Sequence, residues 1–231
     1  MMRSRGIKQR SIFGGESRRE RTLSRLANTA RLKQIVQPKF SIIVVDNDTH
    51  TPRDAAKRGV DSILSQTFRD FEIVFVHNGP KEKRYEEEFD LSAVPKVKAL
   101  YLKELSNDWG NTSRNYGLMI ASGEYILHFN IDNFLYPSCL EKVNQFLEKD
   151  GVRKEMVIFS IIHHKNAERI LTGNPVRFRH IDCLQVIASR IAWESIGFWH
   201  RTEYESDGYL YIELSSKFQP FYLDEVLAEN F

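Results

Sequence analysis

The chain has 231 residues, 42% hydrophobic and 28% charged, with a formal net charge of +2. This is the make-up of one globular domain with an extra segment, and it excludes a disordered or low-complexity chain. No apolar run reaches the roughly 18 residues that span a bilayer, the N-terminus has no apolar signal-peptide core, and Cys139 and Cys183 have no His or Cys neighbour at zinc spacing. The expectation is a cytoplasmic protein without a disulfide framework or structural zinc.

Residues 1–38 hold ten Lys or Arg against Glu16 and Glu20, so the small net charge hides a basic tail and an acidic body. Within the tail, Leu23, Leu26, Ala27 and Ala30 recur at helical spacing among arginines. Such a stretch suits either peripheral contact with an anionic membrane or a solvated helix packed on the domain. Nucleic acid is not expected, because no RNA-reading aromatic motif accompanies the charge. Pro38 closes the tail, giving a basic extension, 1–38, and a domain, 39–231.

The domain opens with the apolar run Phe40–Val45, a buried strand. Ala55, Val60, Ile63 and Leu64 then form a helical face, and Phe71–Val76, Val97–Leu102, Tyr125–Phe129 and Met156–Ile162 read as further strands. Pro137 fits the first turn of a helix whose buried stripe is Leu140, Val143, Phe146 and Leu147. Past residue 163 the pattern blurs. Glu203–Gly208 precede an apolar face of Leu210, Ile212 and Leu214, and Phe221–Leu223 form a short closing strand. Strands alternating with helices predict an α/β fold: a Rossmann-like, mostly parallel sheet with helices on both faces.

In such sheets ligands bind beyond the carboxyl ends of the strands. Three predicted ends are polar: Asp46-Asn47-Asp48, His77-Asn78-Gly79-Pro80 and Asn130-Ile131-Asp132-Asn133. One cluster alone is a turn with Asx hydrogen bonding. Three delivered to one edge of one sheet predict a functional cleft.

The segments PKFSIIVV, SILSQTFRDFEIVFVHNG, SRNYGLMIASGEYILHFNIDNFLYPSCLE and ESDGYLYIELSSKFQPFYLDEVLAENF together resemble the inverting glycosyltransferases of family two, with the GT-A fold. That family's text runs through S-I-L-x-Q-T-x-x-D-F-E-I, an acidic D-D-G-S turn, A-R-N-x-G, G-E-Y-I, the metal motif D-x-D and a closing E-D-x-x-L. The likeness covers most of residues 39–231. Three turns depart from it: Asn130 stands at the first acid of D-x-D, His77-Asn78-Gly79-Pro80 replaces D-D-G-S, and Asp46-Asn47-Asp48 replaces a Thr-Tyr-Asn turn.

The resemblance implies a nucleotide-sugar donor and transfer to a glycan, lipid-linked or protein-linked acceptor. A diphosphate leaving group calls for a counter-charge, and Mn2+ or Mg2+ held by Asp132 would supply it. One carboxylate with substrate phosphates and water suffices for such an ion. Asn130 keeps an oxygen without the charge and suits ribose or sugar. Asn78, with Asp46 or Asp48, suits base and ribose, and Arg114 suits base or diphosphate. For a base that deprotonates the acceptor hydroxyl the family alignment gives Asp207, with Glu205 as the fallback. Trp193, Phe198, Trp199 and Tyr204 offer aromatic surface for sugar rings. The altered D-x-D and D-D-G-S turns keep one rival open, a GT-A module that binds nucleotide sugar or a partner without turnover. A nucleotidyltransferase would need a glycine-rich basic loop after the first strand, which Asp46–His50 is not.

Overall fold

In a computed structural model of the chain, residues 37–47, 51–165 and 168–231 are described. The basic tail up to residue 36, and Asp48, lie outside them. β1 (Phe40–Asp46), β2 (Phe71–His77), β3 (Val97–Tyr101) and β4 (Tyr125–Asn130) pair in parallel in the order β3-β2-β1-β4. Every residue of β1 and β2 is buried, as their mostly apolar sequences, interrupted only by Ser41 and Glu72 before the polar ends, require of strands covered on both faces.

The chain continues through β5 (Phe134–Leu135), β6 (Met156–His163), β7 (Arg169–Leu171), β8 (Val186–Ser189) and β9 (Pro220–Asn230). Here the sheet turns mixed. β8 runs antiparallel to β4 and to β6, β9 lies parallel to β6, and β5 and β7 pair antiparallel with β9 and β6.

Six helices flank this sheet among the described residues: α1 (Arg53–Leu64), α2 (Tyr85–Glu88), α3 (Asn111–Ile120), α4 (Cys139–Glu148), α5 (Arg190–Ser195) and α6 (Ser206–Lys217). Alternating strand residues divide the core in two. Phe40, Ile42 and Val44 pack with Val60 and Ile63 of α1 and Leu140 and Val143 of α4. Ile43 and Val45 pack with Leu118 of α3, Trp193 of α5 and Leu210 and Leu214 of α6. No helix among the described residues is long and apolar enough to cross a membrane, and both cysteines are free and buried.

The expected strands and helices are present, with three differences. Pro137 lies just before Ser138, the residue that caps α4, rather than in the helix. In α6 the buried stripe is Leu210, Tyr211 and Leu214, while Ile212 turns outward, because Leu214 lies four and three positions after Leu210 and Tyr211, the spacings that share a helical face, and two positions after Ile212, a spacing that does not. β9 has eleven residues where only Phe221–Leu223 reads as a strand. Its register against β6 slips around Phe159–Ile161, which breaks the alternation by which strands are read.

Candidate active site

Parallel pairing sets Asp46 opposite His77 and Val45 opposite Asn130, so the polar ends of β1, β2 and β4 reach one edge. They line a cleft of about 340 Å³, with Ser106, Asn107 and Trp109 from the loop after β3.

Asp46 forms part of the cleft wall, with its carboxylate buried in a charge cluster. It accepts a 3.1 Å hydrogen bond from the Tyr85 hydroxyl, and the cations of Arg53 and Lys81 lie at 3.7 and 3.8 Å. Both cations also reach Glu88, at 2.5 and 3.2 Å. Asn78 clamps the loop after β3: its amide nitrogen donates to the Ser106 carbonyl at 2.8 Å, and its amide oxygen accepts from the Ser106 N–H at 2.9 Å. One N–H and one lone pair remain for a ligand.

Arg114 projects from α3 and is buried. Its Nη1 donates to the Trp109 carbonyl at 2.8 Å, its Nη2 donates to Asn130 Oδ1 at 2.8 Å, and its guanidinium lies 4.8 Å from the centre of the Trp199 ring. At the first D-x-D position, therefore, the side-chain oxygen is committed to an arginine. Asp132, at the second, carries a carboxyl raised above the usual range by burial, and its own backbone hydrogen bond, Lys165 and Arg58 offset this only in part. Gly59 of α1 packs so tightly beneath this turn that a Cβ there would stand 1.9 Å from the Ile131 carbonyl oxygen.

Among the described residues no three His, Cys, Asp or Glu side chains converge to hold a metal. A desolvated Asp132 carboxyl with no neighbour that fully compensates its charge fits an ion whose remaining ligands are donor phosphates and water.

The two candidate bases, two positions apart, meet different surroundings. Glu205 is ion-paired with the exposed Arg179 at 2.7 Å. Asp207, in the first turn of α6, has its carboxyl pushed up to about 7, by burial first and then by repulsion from Asp182, which a hydrogen bond from Gly208 N and the charge of Arg114 only partly counter. Helix α3 fixes this segment. Asn111 Nδ2 donates to the Ser206 hydroxyl at 2.9 Å, while Asn115 exchanges hydrogen bonds of 2.8 and 2.9 Å with the Trp199 backbone. Asp182 went unread in the sequence because it lies in the blurred region after residue 163. Trp193 and Trp199 are core residues rather than ligand surface, and Tyr204 is exposed.

The profile of Glycosyl transferase family 2 matches residues 42–183, from β1 to the turn before β8. The chain belongs to glycosyltransferase family 2. An uncharacterized glycosyltransferase of Methanocaldococcus jannaschii is 28% identical over 114 residues, 49% of this chain and 39% of that protein. One from Rickettsia typhi is 34% identical over 123 residues, 53% of this chain and 36% of that protein. The matches thus span well under half of these relatives. Among solved structures, S. aureus TarS superposes with a TM-score of 0.67 at 14% identity, covering 83% of this chain and 36% of that one. The mannosyltransferase PcManGT from Pyrobaculum calidifontis, in complex with GDP-Man and Mn2+, gives 0.64 at 14% identity, covering 90% and 64%. These likenesses show that the family 2 domain has the GT-A fold.

Proposed function

We propose that residues 39–231 transfer a sugar from a nucleoside-diphosphate sugar to a hydroxyl of a glycan, lipid-linked or protein-linked acceptor, with inversion. The observation that carries this reading is the cleft at the polar ends of β1, β2 and β4 of a family 2 domain; for the base it is Asp207, whose carboxyl is pushed up to about 7 by burial. A general base is most effective when its pKa lies near the working pH. Asp207 takes the acceptor proton as the hydroxyl attacks the anomeric carbon, and Glu205, bound to Arg179, is the weaker candidate. Structural relatives bound to UDP-GlcNAc and to GDP-Man with Mn2+ support the donor class.

Asn78, with Asp46 or Asp48, takes the base and ribose. Arg114 places its positive charge by the diphosphate, and Asn130, oriented by Arg114, faces the ribose or sugar. Asp132 would hold Mn2+ or Mg2+, which supplies Lewis-acid stabilisation of the departing diphosphate. The basic extension, 1–38, would bring the cytoplasmic enzyme to anionic lipid.

The test is thermal stabilisation by UDP-, GDP- and dTDP-sugars with and without Mn2+, since a ligand specific to the native state raises the Tm. One donor should stabilise, more strongly with Mn2+, and Asn130→Asp should tighten metal binding. The replaced first acid of D-x-D favours a second reading, a module that binds nucleotide sugar without turnover. Stabilisation without transfer to any acceptor would select it.

A further inference from the structure

Trp109 stands apart from the other two tryptophans. Trp193 and Trp199 are 0% and 4% exposed, whereas Trp109 is 63% exposed and forms part of the cleft wall. Its backbone φ is +60°, a left-handed conformation that a bulky side chain rarely adopts and that neighbouring contacts must hold. Those contacts are present. The Trp109 carbonyl accepts from Arg114 Nη1 at 2.8 Å, and on the next turn Asp108 accepts from Thr112 N at 2.7 Å, fixing the start of α3. The indole meets the 62%-exposed Tyr204 edge-on, with centroids 4.6 Å apart and planes at 66°.

Trp109 is the one aromatic residue in the cleft lining, which otherwise combines the apolar Val45 and Ile131 with polar residues, among them Asn47 and Asn78 after β1 and β2 and Ser106 and Asn107 after β3. One flat aromatic wall opposed to amides and hydroxyls suits a flat heteroaromatic ring, stacked on its face and read at its edge. Resting on the donor reading above, we propose that Trp109 is the base-stacking wall of this cleft. It covers one face of the donor's nucleobase, with Tyr204 as an edge-on buttress. Trp109 enters the cleft lining from a left-handed turn at the start of α3.

The experiment titrates UDP, GDP, CDP, ADP and dTDP into the full chain and into Trp109→Ala and Trp109→Phe, by calorimetry and by tryptophan fluorescence. Because the other two indoles are buried, a base stacked on Trp109 should quench the solvent-exposed part of the emission. Trp109→Ala should weaken the nucleotide that binds by about tenfold or more, with Tm unchanged, and Trp109→Phe should retain most of the affinity. Inorganic pyrophosphate, which has no base, should bind all three proteins alike. A nucleotide that binds wild type and Trp109→Ala equally, or saturates wild type without changing its emission, overturns this inference alone. If none of the five binds wild type, the donor reading falls and this inference with it.

Discussion

Glu205 and Asp207 differ by one methylene and two positions, and the fold gives them opposite surroundings. Glu205 is held in an ion pair with the exposed Arg179, whereas desolvation and Asp182 make Asp207 a stronger base. Transfer should therefore rise with pH through about 7 as Asp207 loses its proton. Asp207→Asn should cost about 10²–10⁴-fold in rate with little change in donor affinity, and Glu205→Gln should cost little. Rate–pH profiles of the three proteins decide it, and a wild-type profile flat through neutrality would remove Asp207 as the base. Gly59 invites a second test. In an exposed helix Gly→Ala stabilises by about 1 kcal/mol, but here the new methyl would meet the Ile131 and Asn133 carbonyl oxygens at 1.9 and 2.8 Å. Gly59→Ala should lower the Tm and weaken Mn2+-dependent nucleotide binding together, because the turn it displaces carries Asp132. A higher Tm with unchanged binding would show that the turn yields freely.

At the scale of elements, the family text proves to be of two kinds. Asn130 and Asp132 line the cleft, and the buried Arg114 donates a hydrogen bond to Asn130. Glu72 of D-F-E-I and Ser122 of A-S-G-E-Y sit at the amino-terminal end of the strands, where Glu72 accepts from Ser41 at 2.7 Å and from Ser122 and pairs with Lys98 at 3.0 Å. Those acids and hydroxyls tie β1, β2, β3 and the start of β4 together. Glu72→Ala should cost about 1–3 kcal/mol by stranding buried donors and leave nucleotide affinity intact. Denaturation and calorimetry on one sample separate the two effects. The parallel half of the sheet was legible because β1, β2 and β4 are mostly apolar stretches, each broken by one polar residue, that end in polar turns. β8, four residues long, offered no alternation to read, and β9 was obscured by its slipped register against β6. Nor was Trp109 legible as a wall of the cleft, since an exposed aromatic in a loop carries no periodic signal and its left-handed φ is set by contacts distant in sequence.

Two buried groups, His128 and Glu72, and the partly buried Asp207 give the whole molecule a testable dependence on pH. His128 is fully buried, and its Nε2 accepts from Trp199 Nε1 at 3.1 Å. Burial, and after it the charge of Arg114, push its pKa well below the ordinary 6.5. The unfolded chain then takes up the proton more readily, so this group loses stability as pH falls below 6.5. Asp207 acts in the opposite sense. Raised from 3.8 to about 7, it binds a proton more readily when folded, so stability is gained as pH falls from 7 towards 3.8. Each slope is at most about 1.4 kcal/mol per pH unit, and in the range where both act they offset each other. Burial would raise Glu72, but hydrogen bonds from Ser41, Ser122 and Lys98 outweigh it and hold the carboxyl at about 2, so its contribution is whole above 4.5 and is lost as pH falls towards 2. Together these three groups should contribute little net change in Tm from 6.5 down to 4.5 and a steep loss below. Asp207→Asn removes the compensating gain, so its Tm should decline from 6.5 downward, whereas His128→Leu should become more stable on acidification until Glu72 titrates. Calorimetric Tm series on the three proteins from neutrality into acid test this. Curves for wild type and Asp207→Asn that run parallel would show that the Asp207 carboxyl titrates as it does in the unfolded chain, and its standing as a base poised near neutrality would go with it.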